Sequence, residues 1–231
     1  MNAIILAGGF GTRLQSVVSD LPKPMATVAG RPFLEWVLDH CLAHNVKKAI
    51  LSVGYLHEKI IEHFGYNYKG IELDYAIETE PLGTGGAIRF ALESSEGEAL
   101  WTVLNGDTLF RSDLSALANF YKTKSADMVI ALRRMFDFDR YGVVQVDEAG
   151  QVQSFLEKSY RKEGLINAGI YTFKADLLQS RFANGQKFSF EKDFMERFVS
   201  ELNFYGLVQE GYFIDIGIPE DFEKANRELL S

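Results

Sequence analysis

The sequence is poor in cysteine and in positive charge, and it contains no long apolar run. Its one cysteine, Cys41, excludes a disulfide within the chain. Set in an apolar helical pattern with Phe33, Leu34, Val37, Leu38 and Leu42, it reads as a core residue of a protein kept in a reducing compartment. Lys and Arg number 24 against 32 Asp and Glu, a net charge of -8. Such a field argues against non-specific nucleic-acid binding, although it leaves room for a local cationic pocket that takes a small anion. No segment approaches the roughly 20 apolar residues of a membrane span, and the opening MNAIILAGG is too short for the apolar region of a signal peptide. The expectation is a cytoplasmic protein with neither a nucleic-acid nor a membrane partner. Pro- or Ser-rich linkers, charge runs and internal repeats are also lacking, which favours one domain over residues 1–231.

Of the residues present, 47% are hydrophobic, enough for a substantial core. Strand-like and helix-like segments alternate along the first half. Residues 3–7, 49–53, 71–77, 100–104 and 128–132 read as strands, with apolar residues at alternate positions in 71–77. Residues 33–44 and 114–121 read as helices, and 87–92 as the start of one. This rhythm predicts an α/β fold of Rossmann-like type, three layers α/β/α around a mixed, mainly parallel central sheet. The second half is richer in strand: 143–146 and 152–156 flank a hairpin turn at 147–150, with 170–173 and 212–214 beyond. Pro219 opens a closing helix over 219–229. A nucleotide-binding half (about 1–125) and a substrate half (about 126–231) on one sheet would place ligands at the carboxyl ends of strands.

The strongest local signal follows the first strand: Leu6-Ala7-Gly8-Gly9-Phe10-Gly11-Thr12-Arg13-Leu14. Glycines there let the backbone turn sharply and bring N–H groups against a phosphate, and Arg13 adds a planar cation. Ten residues on, Lys23 is held between Pro22 and Pro24. A polyanionic triphosphate needs such a cradle with two cations, while an ordinary strand-to-loop turn would need neither. A Walker P-loop requires Gly-Lys-Ser/Thr where Gly11-Thr12-Arg13 stands. The dinucleotide fingerprint requires glycine at Leu14 and an acid near Val53-Gly54. Both fail on residues.

The run 6–14 together with Lys23-Pro24 resembles the signature of the sugar-phosphate nucleotidyltransferases, and further matches are spread along nearly the whole chain. The resemblance implies that Leu6, Ala7, Gly8, Gly9, Gly11 and Thr12 bind the nucleotide, with Arg13 and Lys23 on its phosphates. A second glycine-rich turn, Glu80-Pro81-Leu82-Gly83-Thr84-Gly85-Gly86, leads into a helix and resembles the base-binding loop of the guanylyltransferase branch. Glu80 or Glu78 could accept from the adjacent N1–H and N2–H2 of guanine, against the plain alternative of a capping loop with solvated acids; Gly83, Thr84 and Gly85 would lie against the base.

Asn105-Gly106-Asp107 ends a buried strand, and Asp215 has the same type of position 108 residues later. Isolated carboxylates at strand ends can bind Mg2+, which prefers oxygen ligands, but each alone would pass for a turn or cap. The family's use of a Gly-Asp and a late Asp makes Asp107 and Asp215 the expected metal ligands, Asp107 also catalytic, with Asn105 and Gly106 on the nucleotide. Glu157-Lys158 after one strand, Asn167-Ala168-Gly169 read as the start of another, and Gly142 after Tyr141 match the family's sugar-phosphate site in order. Ser159 stands where the family often has Pro. Asp113 and Asp176 read as helix caps, Ser189 as the cap of a helix start at 188–193, Glu191 and Lys192 as a solvated first turn, and His40, His44, His57 and His63 as surface residues. His40 and His44 share a metal pair's spacing, but position 41 lacks the acid of a His-Glu motif and no third ligand is evident.

The resemblance implies transfer of a nucleotidyl group from an NTP to a sugar 1-phosphate with release of pyrophosphate and Mg2+ as cofactor. GTP and a heptose 1-phosphate are the expected substrates; mannose 1-phosphate, or uridylyl or thymidylyl transfer, are the alternatives. A non-catalytic nucleotide-sugar-binding module would predict damage at Lys23, Asp107 or Asp215, and all three are present. An apolar helix of the second half, if exposed, would make a homodimer.

Overall fold

The computed structural model describes residues 1–9, 21–93, 95, 97 and 99–230. Gly11, Thr12 and Arg13 lie outside the described residues. The apolar runs at 2–6, 48–53 and 100–105 form strands buried on both faces, as central parallel strands under helices must be, whereas 71–77 buries alternate residues. β1 (Asn2–Leu6) enters the sheet first; β2 (Thr27–Val28) and β3 (Arg31–Pro32) form a small ladder before α1 (Phe33–Ala43). Next come β4 (Lys48–Val53), α2 (His57–Phe64), β5 (Asn67–Tyr68), β6 (Ile71–Ile77), α3 (Gly83–Ala91), β7 (Leu100–Asn105), β8 (Thr108–Phe110) and α4 (Leu114–Lys124). The second half adds β9 (Met128–Phe138), β10 (Val143–Val146), β11 (Val152–Leu156), β12 (Arg161–Lys174), α5 (Asp176–Gln179), a π-helical segment Phe190–Glu196, β13 (Phe204–Val208), β14 (Phe213–Asp215) and α6 (Pro219–Glu228).

The main sheet runs β11-β10-β12-β7-β1-β4-β6-β5, with β9 joining β12 to β13. Its centre, β6-β4-β1-β7, is parallel. β12 runs antiparallel to β7 and carries the second half onto the same sheet. The fold is thus the mixed α/β sheet under helices expected from the βαβ rhythm. Its two cores lie on opposite faces: Ile5 with Leu34, Leu38 and Leu117 on one, Ile4 with Ile88, Phe173 and Phe194 on the other. Each draws on both sides of position 125. No described helix is long and apolar enough to cross a membrane.

Several local expectations change. Residues 128–132 are the buried beginning of an 11-residue strand, and 170–173 are the end of a 14-residue one. Asn167 to Gly169 therefore stand inside β12, not at its start. A register shift against β9 falls between Asn167 and Tyr171, and Gly169 has φ +75, so a bulge imitates a boundary in the sequence. Asp113 caps α4, its Oδ1 accepting from Ser115 N at 2.8 Å and Ala116 N at 3.0 Å. Asp176 does not cap: it is the first residue of α5, whose cap position is Ala175. Ser189 Oγ accepts from Lys192 N at 3.2 Å and so caps the π-helical segment. Cys41 is buried, and so is His40, which a surface assignment does not survive. His40 continues the buried stripe Phe33, Val37 of α1.

Candidate active site

β1, β4, β6 and β7 end at one level, because Leu6 pairs with both Ser52 and Asn105, and Val53 with Ile77. Their carboxyl edge bounds a cavity of about 730 Å3. Leu6, Gly8, Gly9, Glu78, Glu80, Gly83, Thr84, Asn105 and Asp107 all line it. Ala7 is buried behind them, its N donating to Ser52 O at 2.8 Å. Gly85 is not on the wall; its N donates to Phe188 O at 3.1 Å. Gly106 shapes the edge from behind: its N donates to Leu6 O at 2.9 Å, and a Cβ there would stand 2.6 Å from that oxygen. Only glycine lets β7 turn so tightly against β1, and the turn delivers Asp107 to the cavity.

The two acids of the second glycine-rich loop separate. Glu78 is committed to the scaffold: Ser52 Oγ donates to its Oε1 at 3.0 Å and Leu82 N to its Oε2 at 3.0 Å. Glu80 is exposed on the wall and makes no hydrogen bond or ion pair with a described residue. Sequence reasoning missed the opposite wall, where Gly54, Tyr55, Leu56 and His57 follow β4. Leu56 takes the left-handed conformation at φ 57, and His57 Nδ1 lies 3.0 Å from Gly54 O. The available signal was the strand end itself, since ligands gather at the carboxyl ends of parallel strands.

β8 and β14 form a separate two-stranded ladder in which Asp215 faces Thr108, so the ladder brings the Asp107 and Asp215 carboxylates together from 108 residues apart. Lys23, on a 3-10 turn between its prolines, donates from Nζ to Asp107 Oδ2 at 2.5 Å and is largely buried. A Cβ on Gly217 would lie 2.8 Å from Asp215 Oδ1 and 3.4 Å from Lys23 Nζ, so Lys23 is paired with Asp107 and close enough to act electrostatically on Asp215. Gly217 N donates to Asp215 Oδ1 at 2.7 Å. Burial, and then the Asp107 charge, push the Asp215 carboxyl above the usual range, while Lys23 pulls it back. Tyr141 packs its ring edge-on to Phe213 at 5.9 Å, and burial followed by the Asp215 charge holds its phenol protonated.

The donor set suits a small hard cation. Two carboxylates with one lysine leave excess negative charge, and Mg2+ is commonly held by one or two carboxylates with phosphate oxygens or water completing its shell. Among the described residues no cluster of three or more His, Cys, Asp or Glu offers an all-protein cage.

The residues expected at the sugar phosphate also meet in register. Val143 pairs with Leu156 and with Ile166, which places Gly142, just before β10, and Glu157, just after β11, beside the position of Asn167 in β12. Glu157 and Lys158 are exposed just past β11 and do not line the cavity. Gly169 abuts Asn105 at the end of β7: a Cβ there would lie 2.5 Å from Asn105 Nδ2. Asn167 Oδ1 accepts from Gly169 N at 3.0 Å, and Asn167 Nδ2 donates to the Tyr171 hydroxyl at 2.8 Å.

A parallel sheet whose carboxyl edge carries a glycine-lined cavity, a buried lysine and two carboxylates is the build of a nucleotide-handling α/β protein. Residues 2–231 match the Nucleotidyl transferase family, and the chain belongs to it. It is 45% identical to D-glycero-alpha-D-manno-heptose 1-phosphate guanylyltransferase of Aneurinibacillus thermoaerophilus over 99% of this chain and 98% of that protein. With the protein of the same name from Campylobacter jejuni it is 47% identical over 96% and 97%. The crystal structure of HddC from Yersinia pseudotuberculosis complexed with GMP-PN superposes with a TM-score of 0.87 at 37% identity, covering 99% of both chains.

Proposed function

We propose that this protein transfers a guanylyl group from GTP to D-glycero-α-D-manno-heptose 1-phosphate, forming GDP-heptose and pyrophosphate. The observation that carries the reading is one continuous cavity joining Gly8 and Gly9, the open carboxylate of Glu80 and Asp107. The near full-length likeness to two heptose 1-phosphate guanylyltransferases supports the choice of base and sugar.

In the proposed reaction an oxygen of the sugar phosphate attacks the α-phosphorus in line and pyrophosphate leaves. A phosphate monoester is ionised at neutral pH, so no side chain need remove a proton. What the chain supplies is position and charge. Backbone N–H groups at Gly8 and Gly9, with Arg13, hold the triphosphate. Glu80 accepts from the guanine N1–H and N2–H2, a donor pair absent from adenine, uracil and cytosine. Lys23 turns from Asp107 toward the transferring phosphate. Lys158 takes the sugar phosphate, while Gly142, Glu157 and Asn167 hold the ring. Asp107 and Asp215 would hold Mg2+, which when bound neutralises developing charge on the phosphates.

The test is pyrophosphate release with Mg2+, crossing GTP, ATP, CTP, UTP and dTTP against heptose, mannose, glucose and N-acetylglucosamine 1-phosphates. Turnover confined to GTP with the heptose phosphate, abolished by EDTA and restored by Mg2+, is the expected result. Turnover with another pair would keep the reaction and discard the specificity. Nucleotide-sugar binding without any turnover would overturn the reaction.

A further inference from the structure

Thr84 lies on the cavity wall, yet its hydroxyl is engaged with the other half of the chain. Thr84 Oγ1 donates to Glu191 Oε2 at 2.9 Å and accepts from Phe190 N at 2.9 Å. Ser189 Oγ donates to the same Oε2 at 3.3 Å. The main chain closes the contact, with Gly85 N and Gly86 N converging on Phe188 O at 3.1 and 3.3 Å and Phe188 N donating to Leu82 O at 3.0 Å. A Cβ on Gly85 would meet the Phe188 ring at 2.2 Å, so this approach needs glycine.

Glu191 is thus half-buried and fixed, where a solvated first turn was expected. Two hydroxyls hold Oε2, while Oε1 accepts no hydrogen bond from a described residue. The Glu191 charge also reaches Tyr171, whose ring stands edge-on to Phe190 at 4.9 Å and whose hydroxyl takes the Asn167 amide. Asn167 belongs to the group proposed above for the sugar, so an anchored carboxylate with one open oxygen is bonded to the base loop through Thr84 and acts electrostatically on Tyr171, the partner of Asn167. It projects from a π-helical turn, a geometry met often at functional sites.

We infer that Glu191 is a specificity-determining residue for the acceptor, its Oε1 accepting a hydrogen bond from a ring hydroxyl of the sugar 1-phosphate while Oε2 is held by Thr84. The inference rests on the reaction proposed above. A carboxylate is a strong acceptor for a hydroxyl, and a site built around one rejects an analogue in which that hydroxyl is missing. The bond to Thr84 keeps the carboxylate from collapsing onto solvent before the sugar arrives.

The experiment measures steady-state kinetics of Glu191→Ala and Glu191→Gln with the sugar 1-phosphate used best by the wild-type chain, GTP affinity without acceptor, and melting temperature. The expected result for Glu191→Ala is an acceptor KM raised roughly tenfold or more, the effect of removing a hydrogen bond to a charged group, with GTP affinity within about twofold. Glu191→Gln, of equal size and still able to accept from Thr84, falls between, and serves if Glu191→Ala does not fold. Monodeoxy acceptors supply the second readout: removal of the recognised hydroxyl penalises the wild type and leaves Glu191→Ala indifferent. An unchanged acceptor KM in a folded variant, or equal losses for GTP and acceptor, would overturn the inference and make Glu191 a strut between the halves. Wild-type turnover alongside such a result strikes the inference alone; no wild-type turnover strikes the proposed reaction and the inference together.

Discussion

His40 gives a pH dependence that can be worked from its surroundings. It lies on α1, buried, with Nε2 lacking a hydrogen-bond partner among the described residues, and its ring meets that of His44 edge-on at 4.6 Å. Burial first, then the charges of His44 and Arg111, pull its pKa from 6.5 to about 4, while Asp113 opposes them. The folded chain therefore keeps His40 neutral at a pH where the unfolded chain has already taken up the proton. Below pH 6.5 the unfolded state binds more protons, so stability falls as pH falls, and the loss is complete near pH 4. A separation of 2.5 units corresponds to about 3 kcal/mol at 1.36 kcal/mol per unit. The perturbation is His40→Leu, close in volume and without a titrating group. At pH 8 it is expected to be neutral or mildly stabilising, since it removes a buried unpaired nitrogen. Between pH 6.5 and 4 the wild type should lose about 3 kcal/mol more than the variant. The assay is urea unfolding at half-unit pH intervals, comparing the two chains so that carboxylates common to both cancel. Parallel stability curves for the two chains would refute the reasoning.

Three further outcomes concern the site. Lys23→Met leaves Asp107 without its cation and should lower kcat by ~10²–10³-fold, read by pyrophosphate release, with a folded protein by circular dichroism. Glu80→Gln presents one acceptor and an unwanted donor to guanine, and should weaken GTP binding by about 10- to 100-fold in an equilibrium titration while leaving ATP binding unchanged. Gly169→Ala combines φ +75 with a Cβ 2.5 Å from Asn105 Nδ2. It should cost about 1–3 kcal/mol of stability, seen as a lowered melting temperature, and raise the acceptor KM.

The parts legible in the sequence are those whose cause is local. Asn105-Gly106-Asp107 announces itself because a buried run stops at a residue that can turn sharply and an acid that must face solvent or ligand. Asp113 and Ser189 are visible as caps for the same reason, each bonding a backbone N–H two or three residues on. Asn167 to Gly169 misled because polarity and glycine look alike at a strand's start and at a bulge inside it. His40 was misjudged by residue type although its spacing from Phe33 and Val37 puts it on the core stripe. Glu78 and Glu80 could not be ranked, since the difference lies in Ser52, 26 residues from Glu78. The Thr84–Glu191 bond spans 107 residues and leaves no periodic trace at all.

The ladder of β8 and β14 has a consequence for the chain as a divisible object. Asp107 and Asp215 lie on either side of the exposed turn at 147–150, where Gly150 N donates to Asp147 O at 3.0 Å. A cut at that turn would put one carboxylate on each fragment and split both cores, the one around Phe173 and Phe194 evenly and the other with only Ala168, Ile170, Ile214, Ile216, Ala225 and Leu229 on the second fragment. Neither piece could bury its apolar faces alone, and neither would carry the pair of acids. Enzymatic turnover by the two fragments together would then register their reassociation, because the signal would require both cores and the whole sheet.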